Sequence, residues 1–144
     1  MDSKIEVKQI SAPADLSEAF FIRHEVFVEE QGCPASLEVE GNDISIHFLA
    51  TIDGKPAAAC RWRKTDKGVK LERFAVLKKY RGRGLGQEMV KTVLENLPAN
   101  APLIYLHSQV DAVSLYERFG FKKIGNEFME AGIRHFTMEI PPSP

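Results

Sequence analysis

Two places in the chain combine residue types that could do chemistry. The first is Arg81-Gly82-Arg83-Gly84-Leu85-Gly86, in which three glycines are interleaved with two arginines. Glycine lets backbone N–H groups approach an anion closely, and the arginines add formal charge. Upstream, Lys70 to Leu77 reads as a strand. Downstream, Leu85, Met89, Val93 and Leu97 recur at helical spacing. The first turn of a helix leaves N–H donors unsatisfied and carries the positive end of the dipole. A strand, a bare-backbone turn and a helix start together make a cradle for a pyrophosphate. A surface loop with arginines for solubility is the plainer alternative, and the density of glycine weighs against it. The second place is Arg23. It falls inside the stripe Leu16, Phe20, Arg23, Phe27, Glu30, on the apolar face of a helix. A guanidinium there needs a partner. Two readings are open: a structural ion pair with a nearby carboxylate, or a cleft residue that meets an anionic group.

The elements that position these residues follow from periodicity and turn chemistry. Ile5 to Ile10 alternates as a half-exposed strand. Asp15, with Glu18 three residues on, is expected to cap a helix running to about Glu30. Gly32 to Asn42 reads as a loop. Ile44 to Ile52, Lys55 to Lys64 and Val69 to Leu77 read as three strands joined by turns at Asp53-Gly54 and Asp66-Lys67-Gly68. The helix after the glycine turn ends in a Pro/Asn/Ala loop. Leu103 to His107 is a short apolar strand, Gln109 to Phe119 a helix stopped by Gly120. Phe121 to Phe128 and Arg134 to Ile140 form a last hairpin through Ala131-Gly132. The order is β-α-β-β-β-α-β-α-β-β, which implies an α/β (α+β) fold with a mixed sheet of six to seven strands flanked by helices.

With 144 residues, the chain has the length of one domain, read here as 1–144 with a frayed tail at 141–144. The net charge of -1 excludes the global basic field of a nucleic-acid binder. No apolar run reaches the length of a membrane span, and the start has no signal-peptide core. Two cysteines, Cys33 and Cys60, have no spacing to histidines that suits a metal, and none is expected. These features fit a soluble cytoplasmic protein without membrane or nucleic-acid partners.

The element order and two separated motifs resemble the GNAT acetyltransferase superfamily. Arg81-x-x-Gly84-x-Gly86 is similar to the family's pyrophosphate loop for acetyl-coenzyme A. Leu115-Tyr116-Glu117-Arg118-Phe119-Gly120-Phe121, about thirty residues on, is similar to its second motif. Arg23-His24-Glu25-Val26-Phe27-Val28-Glu29-Glu30-Gln31 resembles the signature of the small bacterial ElaA-like branch. So do Leu71 to Val76 and Glu130 to His135. Many family members carry Asn where this chain has Gln109, and Gln still fits the ElaA-like pattern.

The resemblance implies an acetyl-CoA-dependent N-acetyltransferase, with acetyl-CoA as co-substrate and no metal. It assigns the pyrophosphate to Arg81, Gly82, Arg83, Gly84, Leu85 and Gly86, with Gln87 in the same helical turn. It assigns the pantetheine arm to the backbone of Phe74, Ala75 and Val76, with an oxyanion donor near Val76, and a further coenzyme contact to Gln109. Tyr116 is the implied general acid toward the departing thiolate, because a phenol is protonated at neutral pH. Glu72 lies two residues from Phe74, and strand alternation would put both on one face. That makes Glu72 a candidate base. Glu30, His47 and His135 are others, as is a water chain. Arg23, Glu30, Arg73 and His135 are candidates for the acceptor pocket, and arginines there would favour an acceptor with a carboxylate or phosphate. The acceptor is a small-molecule amine or a peptide or protein amine, and a homodimer is one expected assembly. Two other readings stand beside this one: a coenzyme-binding regulatory domain without turnover, and an acyltransferase with another acyl donor.

Overall fold

The computed structural model of the chain describes residues 3–141; most of the expected frayed tail lies outside them. Seven strands form one mixed sheet. They are β1 (Ile5–Ile10), β2 (Ile46–Ile52), β3 (Lys55–Lys64), β4 (Val69–Val76), β5 (Ile104–Gln109), β6 (Lys122–Glu130) and β7 (Ile133–Ile140), in spatial order β1-β2-β3-β4-β5-β7-β6. Only β4 and β5 run parallel; every other neighbour pair is antiparallel. The helices are α1 (Pro13–Arg23), α2 (Ala35–Glu38), α3 (Leu85–Glu95) and α4 (Val113–Glu117). The expected mixed α+β sheet is what the chain forms.

Helices cover both faces of the sheet, and the strand residues sort accordingly. Ala59 and Ala75 pack with Ile22 and Val26 under α1. Cys60, Trp62 and Leu71 point the other way, into a larger core with Met89, Val90 and Val93 of α3. The spacing of Leu85, Met89 and Val93 put these side chains on one face of α3, and all three are buried. The run Ala57-Ala58-Ala59 in β3 is fully buried, and its small side chains let both layers come close.

Three local expectations are corrected. Asp15 does not cap α1. Ala12 is the cap residue, Pro13 occupies the first turn, and Asp15 sits inside that turn, 3.7 Å from Lys8. The helix does continue to Glu30, but His24–Glu30 is wound as a wide π-type segment, with Gln31 N–H donating to Val26 O. The expected loop from Gly32 to Asn42 holds the short helix α2 and leads into a 3₁₀ turn at Asn42–Ile44. Strand β2 therefore begins at Ile46 rather than Ile44.

Candidate active site

The parallel pairing of β4 with β5 runs from Val69↔Ile104 to Leu71↔Leu106 and stops there. Beyond it the two strands part. Glu72 to Val76 on one side and His107 to Gln109 on the other have no ladder between them. A cavity of about 580 Å³ opens in the gap, with Arg73, Phe74, His107, Gln109, Tyr116 and His135 among its lining residues. An unpaired strand edge leaves N–H and C=O groups free for an extended amide ligand.

A bulge at the mouth of the gap re-aims the β4 side chains. Arg61 pairs with Glu72 and Ala59 with Ala75, so Arg73 and Phe74 together face the single residue Cys60. Arg73 takes the extra residue with φ of 60°, a left-handed conformation uncommon for a side chain of its size. The consequence is that Glu72 and Phe74 lie on opposite faces, contrary to simple alternation. Glu72 shares the Ala59/Ala75 face, while Phe74 packs into the α3 core.

Glu72 is also chemically committed. Its carboxylate accepts from Arg61 Nη2 at 2.9 Å and Arg63 Nε at 2.8 Å, and lies 3.0 Å from Lys70 Nζ. Burial works against ionisation, yet the Arg63 hydrogen bond and the Lys70 and Arg61 charges hold its pKa at about 2. A carboxylate this acidic takes up no proton at neutral pH. Burial in turn brings Arg61 down to about 10, against the pull of Glu72.

Arg23 is fully buried and does not line the cavity. Its Nη2 meets Glu38 Oε2 at 2.6 Å and Asn42 Oδ1 at 2.8 Å. Of the two readings open for it, the geometry is that of an ion pair. Asn42 Oδ1 also accepts from Arg61 at 2.8 Å, which links the Arg23 and Glu72 clusters. His47 belongs here too. Its Nε2 is 2.8 Å from Asn42 O, and burial lowers its pKa. Arg73 does line the cavity, but its guanidinium donates to backbone carbonyls of Leu37 and Glu38, at 3.1 and 3.2 Å, rather than to a carboxylate.

Tyr116 is buried, with its ring edge-on to Phe74 at 5.7 Å and to Phe121 at 6.0 Å. Burial, with a smaller push from Cys60, raises its pKa, and no hydrogen bond contributes to the shift. The hydroxyl therefore keeps its proton at neutral pH and faces a cavity as a free donor. The amide of Gln109 exchanges hydrogen bonds with Gln31, the shorter at 2.9 Å.

The glycine turn follows β4 after Leu77 and a 3₁₀ turn at Lys78–Tyr80. Gly82 and Gly84 have φ of 79° and 86°, and a Cβ at either would meet nothing within 4 Å, so the turn is open above its backbone. Gly84 caps α3 in the left-handed conformation. Gly86 serves packing as well: a Cβ there would come within 3.2 Å of Leu115 in the second motif. Arg81 is not free. It forms a two-pronged pair with Glu30, at 2.6 and 3.0 Å, and its Nε donates to Val76 O. Glu30 is thereby tied to the turn and does not line the cavity. Arg83 is exposed, its guanidinium 5.9 Å from the Tyr80 ring.

Among the cavity residues that the sequence did not single out are His107 and Glu130, whose Nδ1 and Oε1 lie 3.0 Å apart. The expected break between a strand ending at His107 and a helix starting at Gln109 is corrected: β5 runs through Gln109 and α4 starts at Val113, so His107 and Gln109 share one strand face. Glu130 falls in the Glu130–His135 stretch, but it reaches His107 only through the β5-β7-β6 pairing.

Residues 10–141 match the family model for the Acetyltransferase (GNAT) domain. The chain is 39% identical over 127 residues to YjcF of Bacillus subtilis (strain 168), described as an N-acetyltransferase, covering 85% of this chain and 90% of that protein. It is 30% identical over 144 residues to the protein ElaA of Escherichia coli (strain K12), covering 94% and 90%. The crystal structure of Escherichia coli ElaA superposes with a TM-score of 0.81 at 27% identity, covering 94% of this chain and 99% of that one. A Bacillus subtilis acetyltransferase in complex with CoA shares the fold, with a TM-score of 0.70 at 14% identity, covering 97% and 100%. The chain belongs to the GNAT acetyltransferase family, in the branch that includes ElaA.

Proposed function

We propose that the protein is an N-acetyltransferase that uses acetyl-CoA to acetylate a primary amine in the cavity between β4 and β5. The observation that carries this reading is the free β4 edge past Leu71, which ends in the open glycine turn and faces the unbonded Tyr116 hydroxyl. An extended pantetheine arm fits a strand edge, and a pyrophosphate fits N–H groups ahead of a helix. The solved relative that holds CoA has the same fold.

The residues divide the work as follows. Backbone N–H groups of Arg81 to Gly86 hold the pyrophosphate, with Gln87 in the first turn of α3 and Arg83 as the available cation. Arg81 braces the turn through Glu30 rather than offering its guanidinium outright. Backbone groups of Phe74 to Val76 align the arm, and the N–H near Val76 is placed to meet developing negative charge on the acyl oxygen. Bound acetyl-CoA supplies an activated thioester. Tyr116 supplies a proton to the sulfur as it leaves. Gln109, fixed by Gln31, lines the same wall. Phe74 holds the Tyr116 ring from one side and separates it from the Glu72 cluster.

Glu72 is better suited to bind charge than to move a proton, and Arg23 braces it from behind the cavity through Asn42 and Arg61. Arg73 and His135 are the candidate residues that touch the acceptor. Among the described residues Arg73 meets backbone carbonyls and no carboxylate, so an acceptor with its own carboxylate or phosphate is favoured. Two free thiols fit a reducing compartment, the cytoplasm. No helix among the described residues is long and apolar enough to cross a membrane.

The test is an acetyl-transfer screen over amines, amino acids and peptides, read as free thiol released from acetyl-CoA. Thiol release that depends on an added amine is the expected result. Release independent of every amine, or none, would remove the assignment.

A further inference from the structure

The proposed transfer leaves one proton without a destination. A primary amine is a cation at neutral pH and attacks only after losing a proton. Glu72 is occupied by three cations. Glu38 is the buried partner of Arg23, and Glu30 is held by Arg81 outside the cavity. Glu40 also lines the cavity, but it is exposed and no cation or ring holds its carboxylate among the described residues. The buried or half-buried groups that remain are a cluster of His107, Glu130 and His135.

We propose that His107 Nε2 is the base that deprotonates the acceptor amine, with Glu130 as the positioning residue that orients the ring. The inference rests on the acetyl-transfer reading above. A carboxylate only accepts hydrogen bonds, so the 3.0 Å contact with Glu130 places the proton of the neutral ring on Nδ1. Nε2 then carries the lone pair. It has no protein partner among the described residues, and it is not a buried unpaired atom. The ring is clamped edge-on by Phe128 at 5.1 Å and flanked by Tyr105 at 6.3 Å. His107 stands at the first β5 position past the end of the parallel ladder, where the cavity opens.

His135 is less suited to the same task. Its Nδ1 donates to Ile133 O at 2.7 Å, and its Nε2 faces Glu130 Oε2 at 3.7 Å rather than open space. It stacks on Phe128 and is buried. The His107 ring meets Glu130 at the end of β6, Tyr105 on β5 and Phe128 on β6; the titratable groups His135 on β7 and Lys70 and Glu72 on β4 line the same cavity. The His107 hydrogen bond, helped by the Lys70 charge, lowers the Glu130 pKa against burial, so its carboxylate stabilises a proton arriving on the ring.

The proton count closes. The ammonium gives one proton to His107 Nε2. The nitrogen lone pair forms the C–N bond to the acyl carbon as the C–S bond breaks. The sulfur takes the Tyr116 proton. The second nitrogen proton returns to the Tyr116 oxygen, and the proton on His107 leaves to solvent through the cavity mouth. One amine proton thus ends on the thiol and one in solvent, with no oxidant or reductant required.

The experiment compares wild type, His107→Gln and Glu130→Leu by three readouts. These are acetyl-CoA binding by calorimetry, the pH profile of kcat/KM with an amine that turns over in the screen, and the tautomer of the neutral His107 ring by nitrogen NMR without ligand. His107→Gln should lower kcat about 100-fold or more with the coenzyme Kd unchanged. Its kcat/KM should then climb with the free-amine fraction, about tenfold per pH unit. The neutral wild-type ring should carry its proton on Nδ1, and in Glu130→Leu that proton should move toward Nε2, because Nδ1 has lost its acceptor. A His107→Gln profile superimposable on wild type overturns the proposal, as does a ring tautomer unmoved in Glu130→Leu. If His107→Gln does not fold, the Glu130→Leu tautomer and profile decide alone. A wild type that binds no acetyl-CoA and turns over no amine fails earlier, and takes this inference with it.

Discussion

Of the carboxylates that line the cavity, Glu72 and Glu130 have opposite settings. Glu72, on β4, is almost completely buried and is met by Arg61, Arg63 and Lys70. Glu130, at the end of β6, has a side chain 42% exposed and is met by two imidazoles. The first is held by two arginines and a lysine. The second hydrogen-bonds an imidazole, a ring that can gain and lose a proton. The role of a carboxylate in such a cleft is therefore set by its partners, not by its residue type. The Glu72 side is a brace, extended by Asn42 to the Arg23–Glu38 pair and His47. The Glu130 side and Tyr116 hold the groups we propose to exchange protons.

Breaking the brace should cost stability and spare chemistry. Arg23→Ala strands Glu38 as a buried, unpaired charge, and should destabilise the fold by about 3–5 kcal/mol. Denaturant unfolding measures this, and kcat of the folded fraction should stay within a few-fold of wild type. A collapse of kcat in a stable variant would put Arg23 at the substrate instead. On the other side, Tyr116→Phe should lower turnover about 100-fold, or about 2.7 kcal/mol. The melting temperature and coenzyme Kd should hardly move, since the phenyl ring keeps its packing on Phe74 and Phe121. Unchanged turnover would remove Tyr116 from the acid role.

Glu72→Gln sharpens the contrast. It leaves three cations around a neutral amide and should cost about 2 kcal/mol of stability, with kcat little altered. A large loss of kcat with the pH profile flattened would restore Glu72 as the base. The same contrast extends to the pH dependence of stability. Glu72 has a folded pKa of about 2 against 4.5 when unfolded, so its contribution is present above pH 4.5 and lost as pH falls toward about 2. His47, whose folded pKa is lowered from 6.5, acts earlier. Below that value the unfolded chain takes up a proton that the folded ring resists, so stability begins to fall. Thermal melts from neutral pH downward should show both phases, and Glu72→Gln should lack the lower one.

Much of the fold was legible in the sequence because it is local. Alternation marked the strands, Asp53-Gly54 marked the first hairpin, and the spacing of Leu85, Met89 and Val93 marked the buried face of α3. Phe74, Gln109 and Tyr116 were named from motifs, and the structure brings them to one cavity. What was not legible depends on register and on partners distant in sequence. The bulge at Arg73 turns Glu72 away from Phe74, and only the pairing with Cys60 reveals it. The pair between Glu30 and Arg81 spans 51 residues. That between His107 and Glu130 requires β7 to lie between β5 and β6. The wide turns of His24–Glu30 have no marker in residue type, since the same residues suit an ordinary helix.

We propose that the gap between β4 and β5, with its glycine turn, holds acetyl-CoA, and calorimetric titration of acetyl-CoA into wild type, Gly84→Glu and Gly84→Ala decides it. Gly84 has φ of 86° and open space above it, so both variants carry the same left-handed strain, and only the glutamate places an anion in the cradle. Wild type should bind saturably and one-to-one, with binding retained in Gly84→Ala and abolished in Gly84→Glu. Wild type giving no heat at millimolar acetyl-CoA, or Gly84→Glu binding as tightly as wild type, would contradict it.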